Sequence, residues 1–263
     1  MAARGVRSGV APTLAACALE RSARALHRWT VGIFPDTRPS LVLALAEDDA
    51  TERERALDLV LRAYRGPVIE VLRRQWRLEP ADAEDLAHDF FAQALAKEWL
   101  RRFDPARGRF RTFLRSCLRA YASDAHDRDS AQKRGGHLRA VSFDTAEPAL
   151  TTDEPDDAFD REWARSVLGL ALDALKAECD AAGRALTFQV FVACDVEGTE
   201  REAPATYSEL ARRFDLPVTQ VANYLHWARQ RFRRQVLDTL RALTSNEAEF
   251  RAETRALLGR ATP

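Results

Sequence analysis

The sequence predicts an all-α protein in which two helical domains are joined by a flexible acidic linker. Apolar residues recur at steps of three and four over several long segments, which is the period of a helix buried on one face, and no segment shows the alternation of a strand. Residues 101–139 hold eleven basic and four acidic side chains, whereas residues 142–162 hold one basic and eight acidic ones. The acidic stretch also contains Pro148 and Pro155, a composition typical of a linker.

The chain is long enough, at 263 residues, for two small hydrophobic cores. Five segments are predicted along it: an irregular N-terminal extension (1–45), a first helical domain (46–140), the linker (141–160), a second helical domain (161–245) and a C-terminal tail (246–263). In the tail, Asn246 is placed to cap a final helix, to which the sequence assigns no role.

Three helices are expected in the first domain. Apolar positions at helical spacing predict a helix over residues 52–77, in which Pro67 would cause a kink or a restart. A second helix is expected to begin at Asp82, whose side chain can cap it. Turn-forming residues 104–108 separate this helix from a third over residues 110–127, which carries arginines every four residues on one face.

The second domain is predicted to end in a helix-turn-helix. Helical periodicity resumes at Trp163, and a further helix is expected over residues 186–194. Thr206 and Glu209 have the spacing of a capping box at the start of a short helix. Residues 215–217 then form a short turn before a longer amphipathic helix, which is the order of elements in a helix-turn-helix.

The second helix of such a motif enters the major groove of DNA with its early exposed residues facing base edges. In this chain those residues are Thr219, Gln220, Asn223 and Tyr224. Asn and Gln suit adenine edges, and arginines further along the helix can reach phosphates. An ordinary helical hairpin with a charged outer face is the alternative interpretation of this segment.

The cysteine pattern and the apolar stretches of the sequence favour a protein of a reducing compartment. Cys17, Cys117, Cys179 and Cys194 form no C-x-x-C pair, so neither a disulfide framework nor a zinc site is expected, and the composition favours the cytoplasm. No apolar run approaches the ~20 residues of a membrane span. Residues 14–17 resemble a lipoprotein cleavage box, but the apolar stretch before them is short and contains a proline, so export is not expected.

Several segments together resemble a known family. Residues 82–91 (DAEDLAHDFF) and 103–114 (FDPARGRFRTFL) resemble region two of the extracytoplasmic-function (ECF) sigma factors, which are subunits of bacterial RNA polymerase. Residues 207–211 (YSELA), the following turn and the long helix resemble region four of the same family. Residues 34–38 (FPDTR) and 131–136 (AQKRGG) resemble a subgroup of these factors.

The resemblance implies three binding surfaces. The helix from Asp82 would dock on the polymerase clamp, with Leu86 and Phe90 in the core and with these groups exposed: Asp82, Glu84, Asp85, His88, Asp89 and Gln93. The non-template strand of the minus-ten element would be held by Phe103, Arg107, Arg109, Arg111, Arg115 and Arg119. The minus-thirty-five duplex would be read by Thr219, Gln220, Asn223, Tyr224, Trp227, Arg229 and Arg231.

Some positions leave alternatives open or depart from the family pattern. A core role is the alternative for Phe103, and Phe110 and Phe113 are expected in the core. His88 stands where the family usually has Gln, and Ala222 and Trp227 stand where it often has a base. Fewer cations in the recognition helix imply fewer phosphate contacts there.

The sequence favours a binding protein over an enzyme. Asp85 and His88, next to Glu84, have the spacing of half a di-iron carboxylate site, but no second Glu-x-x-His accompanies them. No P-loop, GxSxG or HExxH motif occurs, so neither a cofactor nor a metal is expected. The predicted partners are core RNA polymerase and promoter DNA, with an anti-sigma factor as a further candidate, no membrane and a monomeric chain. A helix-turn-helix transcriptional regulator with a helical sensor or interaction domain is the alternative. The partner distinguishes the two: a regulator binds its operator alone, whereas a sigma factor needs core polymerase.

Overall fold

Every regular element among the residues that the structure describes is helical, which confirms the predicted fold class. The computed structural model describes residues 40–46, 48–133, 157–197 and 205–259, and no strand occurs among them. In chain order the elements are helix α1 (Leu41–Ala44), α2 (Ala50–Gln75), α3 (Pro80–Ala96), a 3₁₀ turn (Trp99–Arg102), α4 (Phe110–Lys133), α5 (Asp157–Ala181), α6 (Ala185–Phe191), a π-helical turn (Val192–Val196), α7 (Tyr207–Phe214), α8 (Val218–Leu243) and α9 (Glu247–Leu258).

The chain divides into two compact units. The larger unit is formed within Ile33–Leu170 and Val236–Leu257, and the smaller unit within Ala171–Gln235 and Leu258–Pro263. Helices α5 and α8 therefore contribute residues to both units.

The limits of these two units do not coincide with the predicted domain limits, which stay predictions. The predicted start of the second domain at residue 161 lies inside α5, and the predicted tail supplies α9, nearly all of which belongs to the larger unit. Residues 157–160 of the predicted linker form the first turn of α5. The rest of the linker and the predicted lipoprotein-like box lie outside the described residues.

Helix α2 is capped at its start and continuous through its proline. The Asp49 side chain accepts hydrogen bonds from the backbone amides of Thr51 (2.8 Å) and Glu52 (3.1 Å), which have no partner inside the helix. Pro67 is buried within α2, and the helix continues through it to Gln75. The expected restart at this residue therefore does not occur.

Helix α3 begins two residues before the predicted position. Pro80 occupies the first helical position, where the missing amide of proline costs little, and Glu79 precedes it without a side-chain cap. Asp82 lies in the first turn, where its negative charge suits the helix dipole. The prediction that Asp82 caps the helix was wrong, because Pro80 suits the first helical position and starts the helix two residues earlier.

The core of the larger unit is rich in aromatic rings. Tyr64 of α2 packs edge-on against Phe110 of α4 with centroids 5.6 Å apart, and Phe90 of α3 lies 5.5 Å from Tyr121 of α4. Trp99 in the 3₁₀ turn is also buried against Phe90. Burial of each large apolar side chain contributes about 1.5–3 kcal/mol, so these contacts fix α2, α3 and α4 around one core.

The smaller unit packs the long helix α8 against shorter elements. Val221, Leu225 and Ala228 are fully buried, and Phe232 lies 5.4 Å from Phe191 of α6. The sequence predicted one helix over residues 186–194, whereas the structure shows α6 followed directly by a single π-helical turn.

In the larger unit, helix α4 extends to Lys133, six residues beyond its predicted end.

Candidate nucleic-acid interface

The helix-turn-helix has the local geometry that the sequence predicted. At the start of α7 the Thr206 hydroxyl accepts from the Glu209 amide at 3.3 Å, and the Glu209 carboxylate accepts from the Thr206 amide at 2.7 Å. This reciprocal capping box confirms the prediction. Asp215 ends α7 in the left-handed conformation, with φ of 52°, and the Leu216 amide donates to the Ala211 carbonyl at 2.9 Å. Helix α8 follows Pro217, so the turn is as short as predicted.

The first turns of α8 present polar side chains to solvent. Thr219 and Asn223 are exposed, four residues apart and therefore on the same face of the helix. Gln220 donates a hydrogen bond to the Tyr224 hydroxyl at 2.7 Å, and both side chains are half-buried. The exposed pair is thus available to a partner, whereas Gln220 and Tyr224 support each other.

Arg229 is held by a carboxylate of its own unit. Its Nε and Nη2 atoms each lie 2.8 Å from one carboxylate oxygen of Asp195, in the π-helical turn, and Nη1 donates to the Tyr207 hydroxyl at 3.1 Å. Burial lowers the pKa of Arg229, but the hydrogen bonds and charge of Asp195 more than offset this, so the net shift is upward. The guanidinium therefore joins α8 to two neighbouring elements, a surrounding that the sequence prediction of a DNA contact did not include.

Trp227 and Arg231 form a second tether on the same helix. The Trp227 ring is half-buried, and the guanidinium carbons of Arg184 and Arg231 lie 4.6 Å and 5.6 Å from its centroid. Arg231 Nε lies 2.9 Å from Glu178 Oε1 on α5. A cation over an aromatic face contributes about 0.5–1 kcal/mol at an exposed site, so the two arginines help to hold the Trp227 ring in place.

One face of α3 is charged and exposed. Ala83, Ala87, Phe90 and Ala94 are buried on one side of the helix, and the predicted polymerase-facing groups emerge from the rest of its surface. Five of these are exposed, namely Asp82, Glu84, Asp85, His88 and Asp89. The sixth, Gln93, is half-buried with its amide 3.5 Å from the Tyr121 hydroxyl, and Leu86 is half-buried where the sequence predicted core.

The loop before α4 buries its aromatic residue. Phe103 is 9% exposed, packs edge-on against Phe110 at 5.2 Å, and lies 5.6 Å from the tilted ring of Phe113. The structure thus places Phe103 in the core, the alternative that the sequence left open. The Asp104 carboxylate accepts from the Ala106 amide at 2.9 Å and closes a tight turn.

The arginines of α4 do not share one solvent face. Residues 113–118 are buried without interruption, and Arg115 within them is 4% exposed. Arg119 is half-buried, Arg107 is exposed, and the Arg111 side chain is 15% exposed. The expected arginine face was wrong for Arg115, because α4 is surrounded by other elements on most sides.

Arg111 lies at the centre of a charged cluster within the larger unit. Its Nη1 atom is 3.3 Å from Asp160 Oδ1, and its guanidinium carbon is 4.7 Å from the ring centroid of Trp163; both partners belong to α5. Its Nη2 atom is 3.1 Å from Glu253 Oε1 on α9, which also lies 3.5 Å from Arg109 Nη1.

Glu253 is the member of this cluster that sequence reasoning missed. The side chain is 2% exposed, and burial raises its pKa although Arg111 and Arg109 act in the opposite direction. The buried face of α9 also contains Glu249, Phe250 and Thr254. Two glutamates and a threonine do not form an apolar stripe, so hydrophobic periodicity carried no signal for this contact.

The three described cysteines are buried and free. Burial raises the pKa of Cys117 to about 12 and that of Cys194 to about 11. These thiols are therefore protonated near neutral pH and poor nucleophiles. Within the described ranges, no cluster of three His, Cys, Asp or Glu side chains has the arrangement of a metal site, and no helix is long and apolar enough to span a membrane.

Comparison with known proteins gives one family. Residues 60–132 match the family model for Sigma-70 region 2. The match begins in α2 and covers α3, the loop of residues 103–109 and nearly all of α4. This segment is therefore similar to region 2 of the sigma-70 family of RNA polymerase sigma factors, which act in promoter recognition and transcription initiation. No curated protein and no solved structure matches the chain.

Proposed function

We propose that this chain is a sigma factor of the ECF type, which binds core RNA polymerase, recognises promoter DNA and helps to melt it. The observation that carries the proposal is the match of residues 60–132 to sigma-70 region 2. The helix-turn-helix at α7 and α8, which lies outside that match, supports a second DNA-binding surface in the same chain.

The exposed face of α3 is the proposed docking surface for core polymerase. Its five exposed polar groups include four carboxylates, at Asp82, Glu84, Asp85 and Asp89. An acidic face that meets a basic partner helix contributes to steering and register, and it needs no apolar patch. The rigid packing of Phe90 in the core holds these carboxylates in place.

The loop and the start of α4 are the proposed minus-ten surface. Melted DNA requires a groove whose cations track the phosphates of a single strand. Arg107, Arg109, Arg111 and Arg119 are partly or fully exposed and suit this role. For the buried Phe103 we propose a positioning role, since its ring fixes the loop on the aromatic core.

The start of α8 is the proposed reader of the minus-thirty-five duplex. Thr219 and Asn223 face solvent and can reach base edges in a major groove. Arg229 and Trp227 then act as residues that orient the helix, because both are engaged within their own unit. We expect the protein to act in the cytoplasm as one subunit of the polymerase, without a cofactor.

The test is co-purification of the tagged full chain with bacterial core polymerase, followed by run-off transcription on a genomic promoter library. We expect a stable complex and new, specific start sites. Tight binding to a DNA duplex by the chain alone, with no polymerase in the eluate, would instead indicate a helix-turn-helix regulator.

A further inference from the structure

We propose that helix α9 is a built-in competitor of DNA, which covers two arginines of the minus-ten surface, Arg109 and Arg111, until the chain engages polymerase and promoter. The inference rests on the proposed function, because it assigns a regulator to the same arginines. Its physical basis is the contact of one buried carboxylate, Glu253, with Arg109 and Arg111.

The contact has the chemistry of a phosphate contact. A guanidinium binds the anionic oxygens of a carboxylate and of a phosphate with the same donors. Glu253 Oε1 lies 3.1 Å from Arg111 Nη2 and 3.5 Å from Arg109 Nη1. A DNA phosphate cannot approach these two nitrogen atoms from the same side while Glu253 is there. Docked α9 and bound DNA therefore exclude each other at this point.

The burial of Glu253 is not explained by the local structure of α9. Glu249, the other buried glutamate of the helix, accepts from the amide and the hydroxyl of Ser245, both at 2.7 Å, and so helps to cap the helix. Neither carboxylate oxygen of Glu253 has a hydrogen-bond partner among the described residues. Among the described residues, the positive charges of Arg111 and Arg109 are what offsets the loss of water around it.

Such a contact is easily released. A buried ion pair stabilises a fold weakly, because the desolvation of the charges consumes much of their attraction. Burial opposes the ionisation of Glu253, and Glu249 and Asp160 add like charge nearby. Among the residues that α9 buries, Glu249, Glu253 and Thr254 are polar, Phe250 lies under Arg241 at 3.7 Å, and Leu258 is the apolar residue at the end of the helix. Helix α9 is thus attached to its unit largely through polar and charged side chains, which water can solvate when the helix is released.

The test compares two variants of the full chain with the same change in charge. Glu253→Lys places a cation against Arg109 and Arg111 and should undock α9 by repulsion. The control, Ala248→Lys with Ala256→Lys, adds the same two positive charges to exposed positions of the same helix. The probe is a fluorescein-labelled single-stranded DNA of mixed sequence, with binding measured by fluorescence anisotropy at several salt concentrations.

We expect Glu253→Lys to bind this DNA at least about fivefold more tightly than both the wild type and the double-lysine control, the lower end of typical coupling between two equilibria. If Glu253→Lys and the control bound the DNA with equal affinity, the inference would be overturned, because the added positive charge alone would then explain any increase in affinity over the wild type. Co-purification with core polymerase separates the two proposals. If the wild type binds polymerase but Glu253→Lys gains no DNA affinity, only the inference fails; if the wild type binds neither polymerase nor DNA, both fail.

A measurement on the wild type covers the case in which Glu253→Lys does not fold. Hydrogen exchange of the α9 amides is compared between the free chain and the chain in a polymerase–promoter complex. Release of α9 predicts faster exchange over residues 247–258 in the complex. Unchanged or slower exchange would show that α9 stays docked while DNA is bound, which contradicts the competition.

Discussion

Asn223 and Arg229 lie six residues apart on α8 and have different surroundings. Asn223 is exposed, and its amide is open to a partner, whereas Arg229 is held by both carboxylate oxygens of Asp195. From the sequence both residues were assigned to DNA. The structure separates their surroundings, because only the fold brings Asp195 next to Arg229.

Replacement of Arg229 by Ala is expected to destabilise the chain by about 1–3 kcal/mol, the cost of removing the two Arg229 donors from the largely buried carboxylate of Asp195. The free energy of unfolding in urea measures this. Arg234→Ala, which removes an exposed arginine from the same helix, serves as the control and should change stability little. If the two variants lowered the free energy of unfolding equally, the proposed orienting role of Arg229 would be contradicted.

Replacement of Asn223 by Ala is expected to weaken one base preference in the minus-thirty-five element by about 1–3 kcal/mol without a loss of stability. Binding of the polymerase complex to a promoter series with single base changes measures this preference. Gln230→Ala, an exposed amide further along α8, is the matched control. An unchanged base profile for Asn223→Ala would show that this side chain does not contact a base.

Glu253 gives a pH dependence whose sign follows from its raised pKa. Below its ordinary pKa of 4.5 the carboxyl is protonated in both the folded and the unfolded chain. Above that pH the unfolded chain ionises first, so the wild type loses stability as pH rises from about 4.5 through the folded pKa, and the loss persists above it. Glu253→Gln cannot ionise, so its stability relative to the wild type should increase from pH 5 to about pH 8. Urea unfolding at the two pH values measures this, and a constant or opposite difference would contradict the assignment.

Helices α3 and α4 differ in how much of their surface the fold covers. Helix α3 is covered on the side of Phe90 and leaves its carboxylates in solvent, whereas α4 is buried without interruption over residues 113–118. Both helices show clear apolar periodicity in the sequence. Periodicity identifies the face that must be buried, but it does not show whether the opposite face is also covered, as it is at Arg115.

Charge reversal on α3 tests this element as the polymerase-docking surface. Asp85→Lys combined with Asp89→Lys is expected to abolish co-purification with core polymerase, because like charges across an interface cost several kcal/mol. The matched control is Glu54→Lys with Asp58→Lys, two exposed acids on α2. Circular dichroism should show that both variants are folded. Retained polymerase binding by the α3 variant would exclude this face as the docking surface.

At the scale of the whole chain, two binding activities are proposed for separate surfaces. The proposed polymerase surface is on α3, and the proposed minus-ten surface consists of the loop of residues 103–109 and the start of α4. Both lie in the segment that matches sigma-70 region 2. If the surfaces act independently, a variant can lose promoter melting and keep polymerase binding.

Replacement of Arg107, Arg109 and Arg119 by Ala tests this independence without altering the buried Arg115. Hydrogen bonds to charged groups contribute about 1.5–3 kcal/mol each, so we expect open complexes to decrease by at least about tenfold. Permanganate footprinting on a promoter found by run-off transcription measures the melted bases. Co-purification with core polymerase should be unchanged, and an equal loss of both activities would show that the surfaces are not separate.

The sequence by itself determined the helical class, the capping box at Thr206 and the short turn before α8. These features depend on residues close together in the chain, whose periodicity and capping chemistry act locally. Only the tertiary structure decided which arginines are covered and by what. Asp195 reaches Arg229, and Glu253 reaches Arg109 and Arg111, across long stretches of chain. Such pairs have no local signature, because a charged side chain looks the same in the sequence whether it faces water or a buried partner.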